Sequence, residues 1–226
     1  MLEVVLDTET TGISTTENHK IVEIGCIELN EQIPTGKIFH KYLNPKRPVS
    51  SEAYKIHGYS DSFLSDKETF TEIADKFLEF IKDKKLIIHN ASFDLSFLNY
   101  ELRLVNLSTI DKKNVIDTLE LARQKYPGSQ NSLDALCKRF NIDNSKRKKH
   151  TALIDCNLLK EVYINLLDQK EPKLDLKNSE NITFAYNKKD AHETKRHSRK
   201  IIKPSGEELK LHEKFLNTQL KKNYHT

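Results

Sequence analysis

The sequence predicts an α/β fold in which a mixed central sheet is flanked by helices. The N-terminal third holds three apolar segments separated by turn residues, a pattern that is typical of strands. Two shorter apolar segments come later, and residues at helical spacing lie between and after them. Strands that come first and then alternate with helices favour a mixed sheet covered by helical layers.

The first three predicted strands are joined by turns. Leu2–Leu6 is a short buried strand, Ile21–Leu29 is a longer one with partial alternation, and Lys37–Leu43 is the third. Turns at Gly12 and at Pro34–Gly36 would connect them into a meander, because glycine and proline interrupt regular structure.

The central part of the chain carries the predicted helices. A capping box, Thr69 to Glu72, opens a helix whose apolar residues recur at helical spacing as far as Ile81. A buried strand, Leu86–Ile88, leads into a helix that runs to about Val105. A short strand at Val115–Ile116 and two more helices complete the ordered region; these helices are Ser132–Phe140 and Thr151–Leu167.

The character of the chain changes near residue 168. Residues 168–204 are rich in Lys, Asn, Asp and Glu, which predicts a flexible linker, interrupted by the apolar segment Asn181–Tyr186. A second capping box at Ser205–Glu208 opens a helix to about Lys222, and a lone helix of this kind needs a surface to dock on. The predicted organisation is a domain over residues 1–170, a basic linker over 171–204 and a docking segment over 205–226.

Composition narrows the class of protein. Charged residues make up 31% of the chain, against about 25% in ordinary proteins, so we expect an ionic surface. No apolar run approaches the roughly 18 residues of a membrane helix, and the N-terminus lacks the pattern of a secretion signal. Three widely spaced cysteines, Cys26, Cys137 and Cys156, indicate reduced thiols. These features predict a soluble protein of the cytoplasm.

The positive charge of the chain is concentrated in its C-terminal quarter. Residues 168–226 hold 14 Lys and Arg against 9 Asp and Glu, whereas residues 1–167 hold 23 against 24. This asymmetry is compatible with a tail that meets an anionic partner, although basic tails without a specific partner are also common.

Two acids follow the first predicted strand. Asp7 and Glu9 are two residues apart, so their carboxylates would emerge side by side from one face if the strand continues through them. Two like charges this close repel each other unless a cation lies between them. From this pair alone, solvated acids at a strand end and a metal site are equally good interpretations.

Two further acids favour the metal site. Asp94 would lie in the first turn of a helix that follows a buried strand, and α/β folds place ligands near such strand ends. Asp155 shares a helical stripe with Leu158, Leu159 and Val162, so it faces the core, where an unpaired charge is prohibitive. A buried ion pair remains an alternative for Asp155, but a metal ion suits four converging acids better.

His150 completes the predicted site. It is expected on the loop that enters the Asp155 helix, and beside carboxylates it becomes a candidate general base, because an imidazole titrates near neutral pH. Oxygen ligands without cysteine favour Mg²⁺ or Mn²⁺. Carboxylates that hold two such ions about 4 Å apart, with a histidine that takes a proton from water, are typical of phosphodiester hydrolysis.

The motifs "LDTETTG", "HNASFD" and "HTALID", in this order and spacing, resemble the three motifs of the DEDDh superfamily of 3′→5′ exonucleases. Within it, the stretches "KIVEIG", "EAYKIHG", "NSLDALCKRFNIDNSKR" and "EELKLHEKFL" are similar to the proofreading epsilon subunits of bacterial DNA polymerase III. The resemblance covers nearly the whole chain, most strongly up to about residue 167. It implies a ribonuclease H-like exonuclease fold, a location in the bacterial cytosol and removal of mispaired 3′-terminal nucleotides from DNA.

The resemblance also implies roles for particular residues. Asp7, Glu9, Asp94 and Asp155 would form the catalytic metal set for two Mg²⁺ or Mn²⁺ ions, with Asp94 acting partly through water, and His150 would be the base. Glu52 and His57, in "EAYKIHG", match positions that contact the terminal nucleotide, together with Asp7, Glu9 and Asp155 of the metal set. The basic run Lys146–Lys149 precedes the base, and a solvated loop and a phosphate-steering loop are equally good interpretations of it.

The tail, by the same resemblance, would bind other proteins. The C-terminal segment would bind the polymerase III alpha subunit, and Asn181–Tyr186 stands where a sliding-clamp motif is expected, with Phe184 and Tyr186 as apolar anchors. Asn181 occupies a position where a Gln is expected. The resemblance gives no indication about a theta-like subunit, and no membrane partner is expected.

Two alternatives remain open at the level of sequence. RNA-trimming relatives, such as ribonuclease T or oligoribonuclease, share the acids and the histidine, but they generally lack a tail of this length. A non-catalytic scaffold subunit of the polymerase is the other alternative, and the complete set of acids argues against it.

Overall fold

A five-stranded mixed sheet forms the centre of the N-terminal unit of the chain, in the order β3-β2-β1-β4-β5. A computed structural model of the chain describes residues 1–145, 147, 149–167 and 204–219. The central strand β1 is antiparallel to β2 and parallel to β4. The strands are β1 (Leu2–Thr10), β2 (Ile21–Asn30), β3 (Ile33–Tyr42), β4 (Lys85–Ile88) and β5 (Val115–Asp117).

Helices cover both faces of this sheet. Alternate residues of β1 point to opposite faces, so Val4 and Leu6 pack into one apolar cluster with α3 and α4, while Val5 packs into a second cluster with α5, α6 and α7. The predicted fold class is therefore confirmed. Within the described residues the helices are α1 (Ser51–His57), α2 (Asp61–Leu64), α3 (Phe70–Ile81), α4 (Ala91–Leu104), α5 (Thr118–Lys125), α6 (Leu133–Arg139), α7 (Ala152–Leu166) and α8 (Gly206–Gln219).

The first strand extends four residues beyond its predicted end. Its pairing with β2 continues through Asp7, opposite Gly25, and Glu9, opposite Glu23, and ends at Thr10. The sequence suggested an end at Leu6 because the apolar residues stop there. The strand continues because β2 supplies hydrogen-bonding partners along its whole length, so Asp7 and Glu9 lie on one face, as a continuing strand requires.

The turn between β2 and β3 differs from the prediction. The chain reverses at Glu31 and Gln32, which both have positive φ values of 50° and 67°, and not at Pro34–Gly36. Pro34 instead lies within β3, where it pairs with Leu29 of β2. Because β3 is an edge strand, a proline there removes no hydrogen bond from the interior of the sheet.

The short helices that were not assigned from the sequence include α1 and α5. The Ser50 side chain caps α1 by accepting a hydrogen bond from the Ala53 amide at 3.1 Å, and Gly58 ends this helix with a φ of 81°. Asp117 caps α5 by accepting from the Leu119 amide at 2.9 Å. Both helices are too short for a clear apolar period, so only their caps could have indicated them.

The chain divides into two units, Met1–Leu174 and Asp175–Thr226. In the second unit, Ser205 and Glu208 form the predicted capping box at the start of α8, because the Ser205 amide donates to Glu208 Oε2 at 2.7 Å and the Glu208 amide donates to Ser205 Oγ at 3.3 Å. Residues 168–203, which include Asn181–Tyr186 and nearly all of the predicted linker, lie outside the described residues, as do residues 220–226. Within the described part of the chain, no helix combines the length and apolarity needed to cross a membrane.

Candidate active site

The predicted acids converge in one cleft. Asp7 and Glu9 come from the end of β1, Asp94 from the first turn of α4, and Asp155 from the first turn of α7. All four line a cleft of about 620 Å³, and His150 lies at the same cleft. The structure thus brings together the five residues that the sequence assigned to catalysis and metal binding.

A close approach of α7 to the sheet places Asp155 beside β1. A Cβ atom at Gly25 of β2 would lie 2.7 Å from the backbone carbon of Ala152, so only glycine allows the start of α7 to pack this near. Thr151 caps the helix by accepting a hydrogen bond from the Ile154 amide at 3.4 Å. Asp155 is consequently 3% exposed and faces the cleft.

Asp94 is fixed by the first strand. The amide and the hydroxyl of Thr8 both donate to Asp94 Oδ1, at 3.0 and 2.7 Å. The second oxygen, Oδ2, accepts no hydrogen bond from the described residues. Thr8 thus orients one oxygen of Asp94 and leaves the other available to a ligand in the cleft.

The acids of β1 and α4 are held in an unfavourable electrostatic environment. Burial raises the pKa of Asp7 well above its usual value, and the charges of Asp94, Glu9 and Asp155 raise it further. Burial and the nearby Asp155 raise the pKa of Glu9 to about 8. Burial also raises the pKa of Asp94 to about 7, although the hydrogen bonds from Thr8 oppose this shift. Such a cluster is stable in its charged form only with additional positive charge.

Asp155 behaves differently from the other three acids. Burial alone would raise its pKa, but the contacts with His150 and Arg147 outweigh burial and lower it. Arg147 donates from Nε to Asp155 Oδ1 at 2.5 Å and from Nη2 to Asp155 Oδ2 at 2.8 Å. This fork is the bidentate geometry in which a guanidinium binds a carboxylate most strongly.

Arg147 belongs to the basic run Lys146–Lys149, and its side chain is not part of a solvated loop. It is 7% exposed and turned into the cleft. Lys149 is exposed, and its Nζ donates to the Lys55 carbonyl at 3.1 Å. Lys146 and Lys148 lie outside the described residues. The sequence missed the role of Arg147 because its lysine neighbours made the whole run look like solvated surface.

The loop before α7 holds His150 at the rim of the cleft. The His150 amide donates to the Ile56 carbonyl at 3.2 Å, which ties the loop to α1, and the imidazole is 45% exposed. Its Nδ1 lies 2.8 Å from Arg147 Nη2 and 3.4 Å from Asp155 Oδ2. The predicted loop position of His150 is therefore what the structure shows.

The donor atoms fit a divalent cation. One ligand atom each from Glu9, His150 and Asp155 lie within 4.8 Å of one another, and Asp7 and Asp94 line the same cleft. Carboxylate oxygens dominate this set and no cysteine belongs to it, as expected for Mg²⁺ or Mn²⁺. Burial raises the pKa values of Asp7, Glu9 and Asp94, and a bound cation would oppose that shift by favouring their charged forms.

A second cleft of about 420 Å³ adjoins the acids and contains the two predicted nucleotide contacts. Glu52 and His57 line it, and Glu9 and Phe93 line both clefts. Glu52 is exposed at the start of α1, where the hydrogen bond from Ser51 lowers its pKa. The remaining walls are largely apolar and include Ile13, Ala53 and Ile56. Such a pocket, with a few polar groups on apolar walls, suits one flat ring system.

His57, which lines this second cleft, is buried. Its Nδ1 accepts from the Tyr59 amide at 3.0 Å, so we assign the proton to Nε2, and its ring stacks on Tyr59 with centroids 4.8 Å apart. Nε2 has no hydrogen-bond partner of good geometry among the described residues. Burial lowers the pKa of His57, which disfavours the charged form of the ring.

Glu23 connects Tyr59, which stacks on His57, to the first residue of α7, and its role was not identified from the sequence. This fully buried acid of β2 accepts from the Tyr59 hydroxyl at 2.7 Å and from the Ala152 amide at 2.9 Å through Oε2. Its Oε1 lies 2.7 Å from His40 Nε2. An acid in the apolar strand segment "IVEIG" was the available signal, but the sequence does not reveal its partners.

Comparison with known proteins identifies the family. A family model described as "Exonuclease" (RNase_T) matches residues 4–163. The DNA polymerase III subunit epsilon of Rickettsia conorii is 46% identical over 225 residues, which cover 98% of both chains. The subunit of Rickettsia prowazekii is 48% identical over 220 residues, covering 95% of both chains, and that of Haemophilus influenzae is 42% identical over 239 residues, covering 98% of this chain and 91% of its own.

The chain belongs to the family of DNA polymerase III epsilon subunits. The resemblance inferred from the three acidic motifs is thereby confirmed, as is the expected enzyme class, a 3′→5′ exonuclease of DNA. Enzymes of the DEDDh type generally use divalent metal ions, in agreement with the donor set of the cleft.

Solved structures agree with this assignment. The structure of exonuclease X in complex with 5′-overhanging duplex DNA has a TM-score of 0.59 at 26% identity and covers 74% of this chain and 92% of its own. The nuclease domain of 3′hExo, a DEDDh family member bound to rAMP, has a TM-score of 0.65 at 19% identity and covers 75% and 92%. The second likeness concerns the fold alone, and it supports the ribonuclease H-like sheet of this epsilon-family chain.

Proposed function

We propose that this chain is the editing subunit of a replicative DNA polymerase, which removes mispaired nucleotides from a DNA 3′ end. The observation that carries the proposal is the junction of two clefts at Glu9 and Phe93. One cleft is lined by four carboxylates and His150, and the other has the size and lining for one nucleoside. A terminal nucleoside in the second cleft would present its phosphodiester to the acids.

In this proposal the pocket residues hold the end of the strand. Phe93 and Ile56 offer apolar surface to the terminal base, while Glu52 accepts a hydrogen bond from the sugar and His57 donates one from Nε2. A frayed, mispaired end enters this pocket at lower cost than a paired end, because less base-pairing energy is lost. Selection of mismatches follows from that difference.

The carboxylates provide the ligands for the reaction. Asp7, Glu9 and Asp155 would hold two Mg²⁺ or Mn²⁺ ions directly and Asp94 would hold them partly through water; such ions would supply Lewis-acid polarisation of the phosphate and of a water molecule. His150 takes the proton of the attacking water through an imidazole nitrogen. The water oxygen forms a bond to phosphorus, and the bond between phosphorus and the 3′ oxygen of the preceding nucleotide breaks. That oxygen takes up a proton and remains as the new 3′-hydroxyl, and a deoxynucleoside 5′-monophosphate departs.

The tail supplies the proposed partners. The segment 205–226, which contains α8, would bind the polymerase III alpha subunit, as the name of the relatives suggests. The segment Asn181–Tyr186 would contact the sliding clamp. The domain over residues 1–170 would carry the exonuclease, with residues 171–204 as the linker. Because the proposed enzyme edits DNA during replication, it would act in the bacterial cytosol.

Two rival functions are separable by experiment. An RNA-trimming exonuclease would use the same acids, but the match to epsilon subunits extends over 98% of the chain, including the tail, and favours editing. A catalytically inert scaffold would have no use for three acids whose pKa values burial raises.

The direct test is digestion of a primer with a mispaired 3′ end in Mg²⁺. We expect His150→Ala to lose roughly 10²–10⁴-fold in rate, the usual value of a general base, and Asp7→Ala to lose at least as much. Wild-type rates in Asp7→Ala would overturn the mechanism. Faster digestion of an RNA oligonucleotide than of the matched DNA would instead favour the RNA-trimming alternative.

A second test concerns the tail. We expect the full chain, and not a truncation after residue 170, to co-purify with the alpha subunit, while both digest single-stranded DNA. Equal recovery of the two proteins would remove the docking role from residues 205–226.

A further inference from the structure

Arg147 touches both a predicted metal ligand and the predicted base. Its guanidinium donates to both oxygens of Asp155, at 2.5 and 2.8 Å, and Nη2 lies 2.8 Å from His150 Nδ1. Its Nη1 forms an ion pair with Asp134 Oδ2 at 2.7 Å. The side chain is 7% exposed, so these contacts are shielded from solvent.

The first consequence concerns Asp155. A guanidinium fork uses the directions in which both carboxylate oxygens accept most strongly. Asp155 is 3% exposed, and the side of it that opens to solvent is the cleft that also holds Arg147. Arg147 and a divalent ion therefore require the same side of the same carboxylate.

The second consequence concerns the surroundings of His150. Its Nδ1 lies 2.8 Å from Arg147 Nη2 and 3.4 Å from Asp155 Oδ2, so the guanidinium stands beside the predicted base as well as on the predicted metal ligand.

We propose that Arg147 is a built-in cation that occupies the acidic cleft through Asp155, and that divalent ions displace it. Arg147 is in this sense a positioning residue, because it acts through Asp155. The inference rests on the metal site of the proposed function. It adds one step, in which divalent ions replace the Arg147 guanidinium at Asp155.

Asp134 provides a place for the displaced guanidinium. Its carboxylate is 56% exposed at the rim of the same cleft and is anchored by a hydrogen bond from Asn144 Nδ2 at 3.0 Å. Arg147 can retain its ion pair with Asp134 after it leaves Asp155. The positive charge would then lie at the mouth of the cleft, where the phosphates of a DNA strand pass.

The test measures binding of Mn²⁺ to the full chain by calorimetry, without substrate. Arg147→Met keeps the length of the side chain and removes the charge. Lys149→Met is the matched control, because it removes one charge from the same loop and Lys149 contacts the Lys55 carbonyl and no acid of the cleft. We expect Arg147→Met to bind Mn²⁺ roughly 10-fold more tightly than the control, since no charge-assisted hydrogen bonds must be broken first.

Equal or weaker binding by Arg147→Met, relative to the control, would overturn the exchange and make Arg147 an outer support of Asp155. No binding by the wild type and both variants would overturn the metal site and with it the proposed function. Binding by the wild type and the control, with no gain in Arg147→Met, would overturn the inference alone.

Discussion

Two groups of buried acids lie on the sheet or on a helix that packs against it, and they differ in the hydrogen-bond donors around them. Glu23, Glu28 and Glu101 are each at most 6% exposed, and each is paired with donors from the chain. Asp7 and Glu9 lie on a neighbouring strand, and no described residue donates a hydrogen bond to their carboxylates. The protein thus gives some of its buried acids hydrogen-bond donors, whereas the described residues give none to the carboxylates of Asp7 and Glu9.

Glu28 illustrates the first group. Lys37 Nζ lies 3.2 Å from it, the Thr35 hydroxyl donates to it at 2.8 Å, and Lys84 forms a further ion pair. The hydrogen bond from Lys84, acting against burial, lowers the pKa of Glu28 to about 2. Glu9, by contrast, has its pKa raised to about 8 by burial and by neighbouring acids. Partnered acids stabilise the fold, and unpartnered acids indicate a site that binds a cation from outside.

The largest expected effect of this difference is on the pH dependence of stability. The folded pKa values of Glu9, about 8, and Asp94, about 7, exceed the unfolded values of 4.5 and 3.8. Between these limits the folded state binds more protons than the unfolded state, so the free energy of unfolding falls as pH rises from about 5 to 8 when a chelator removes divalent ions. The fall is up to about 1.4 kcal/mol per pH unit for each extra proton that the folded state binds.

Glu28 has the opposite sign, because its stabilisation is present above about pH 4.5 and is lost as pH falls toward 2. Urea unfolding in EDTA should therefore show maximal stability near pH 5. Saturating Mg²⁺ should flatten the decline toward pH 8, since the ions replace protons on the site acids. A free energy of unfolding that stays constant from pH 5 to 8 in EDTA would contradict the raised pKa values of Glu9 and Asp94.

The next largest effect is expected at Glu23. Glu23→Leu would leave the Tyr59 hydroxyl and the Ala152 amide buried without an acceptor, which costs roughly 1–3 kcal/mol for each lost bond. We expect a corresponding loss in the free energy of unfolding, measured in urea.

Glu23→Gln is the matched control. Its amide oxygen can accept from Tyr59 and Ala152, and its amide nitrogen can donate to His40 in the alternative tautomer. We expect this variant to restore most of the stability. If Glu23→Gln were as unstable as Glu23→Leu, the charge, and not the hydrogen bonds, would be what holds these elements together.

The smallest effect, and the opposite sign, is expected at Asp7. Asp7→Asn removes a charge that its acidic neighbours repel, so we expect the protein in EDTA to gain roughly 0.5–2 kcal/mol in stability while exonuclease activity is lost. The exposed Asp75 on α3 is the control, and Asp75→Asn should change stability by less than about 0.5 kcal/mol. A loss of stability in Asp7→Asn would place Asp7 among the structural acids.

Much of the site was predictable because its chemistry is local in sequence. The acids Asp7 and Glu9 follow a strand, Asp94 begins a helix, and Asp155 interrupts an apolar stripe, and each placement is visible without coordinates. The missed elements are those that local pattern does not define. The edge position of β3 permits Pro34 within a strand, and the caps of α1 and α5 begin helices that are too short to show a period.

The sequence by itself determined the fold class and the likeness to a family, and it predicted the acids of the candidate metal site, because apolar periodicity and motif spacing are properties of neighbouring residues. The tertiary structure decided which charged groups are neutralised and by which partners. Glu23 meets Ala152 across 129 positions and Lys20 meets Glu101 across 81. Arg147 is eight positions from Asp155, yet only the turn before α7 directs its guanidinium into the cleft. Hydrogen bonds act over about 3 Å, so a partner can be assigned only when the chain has folded.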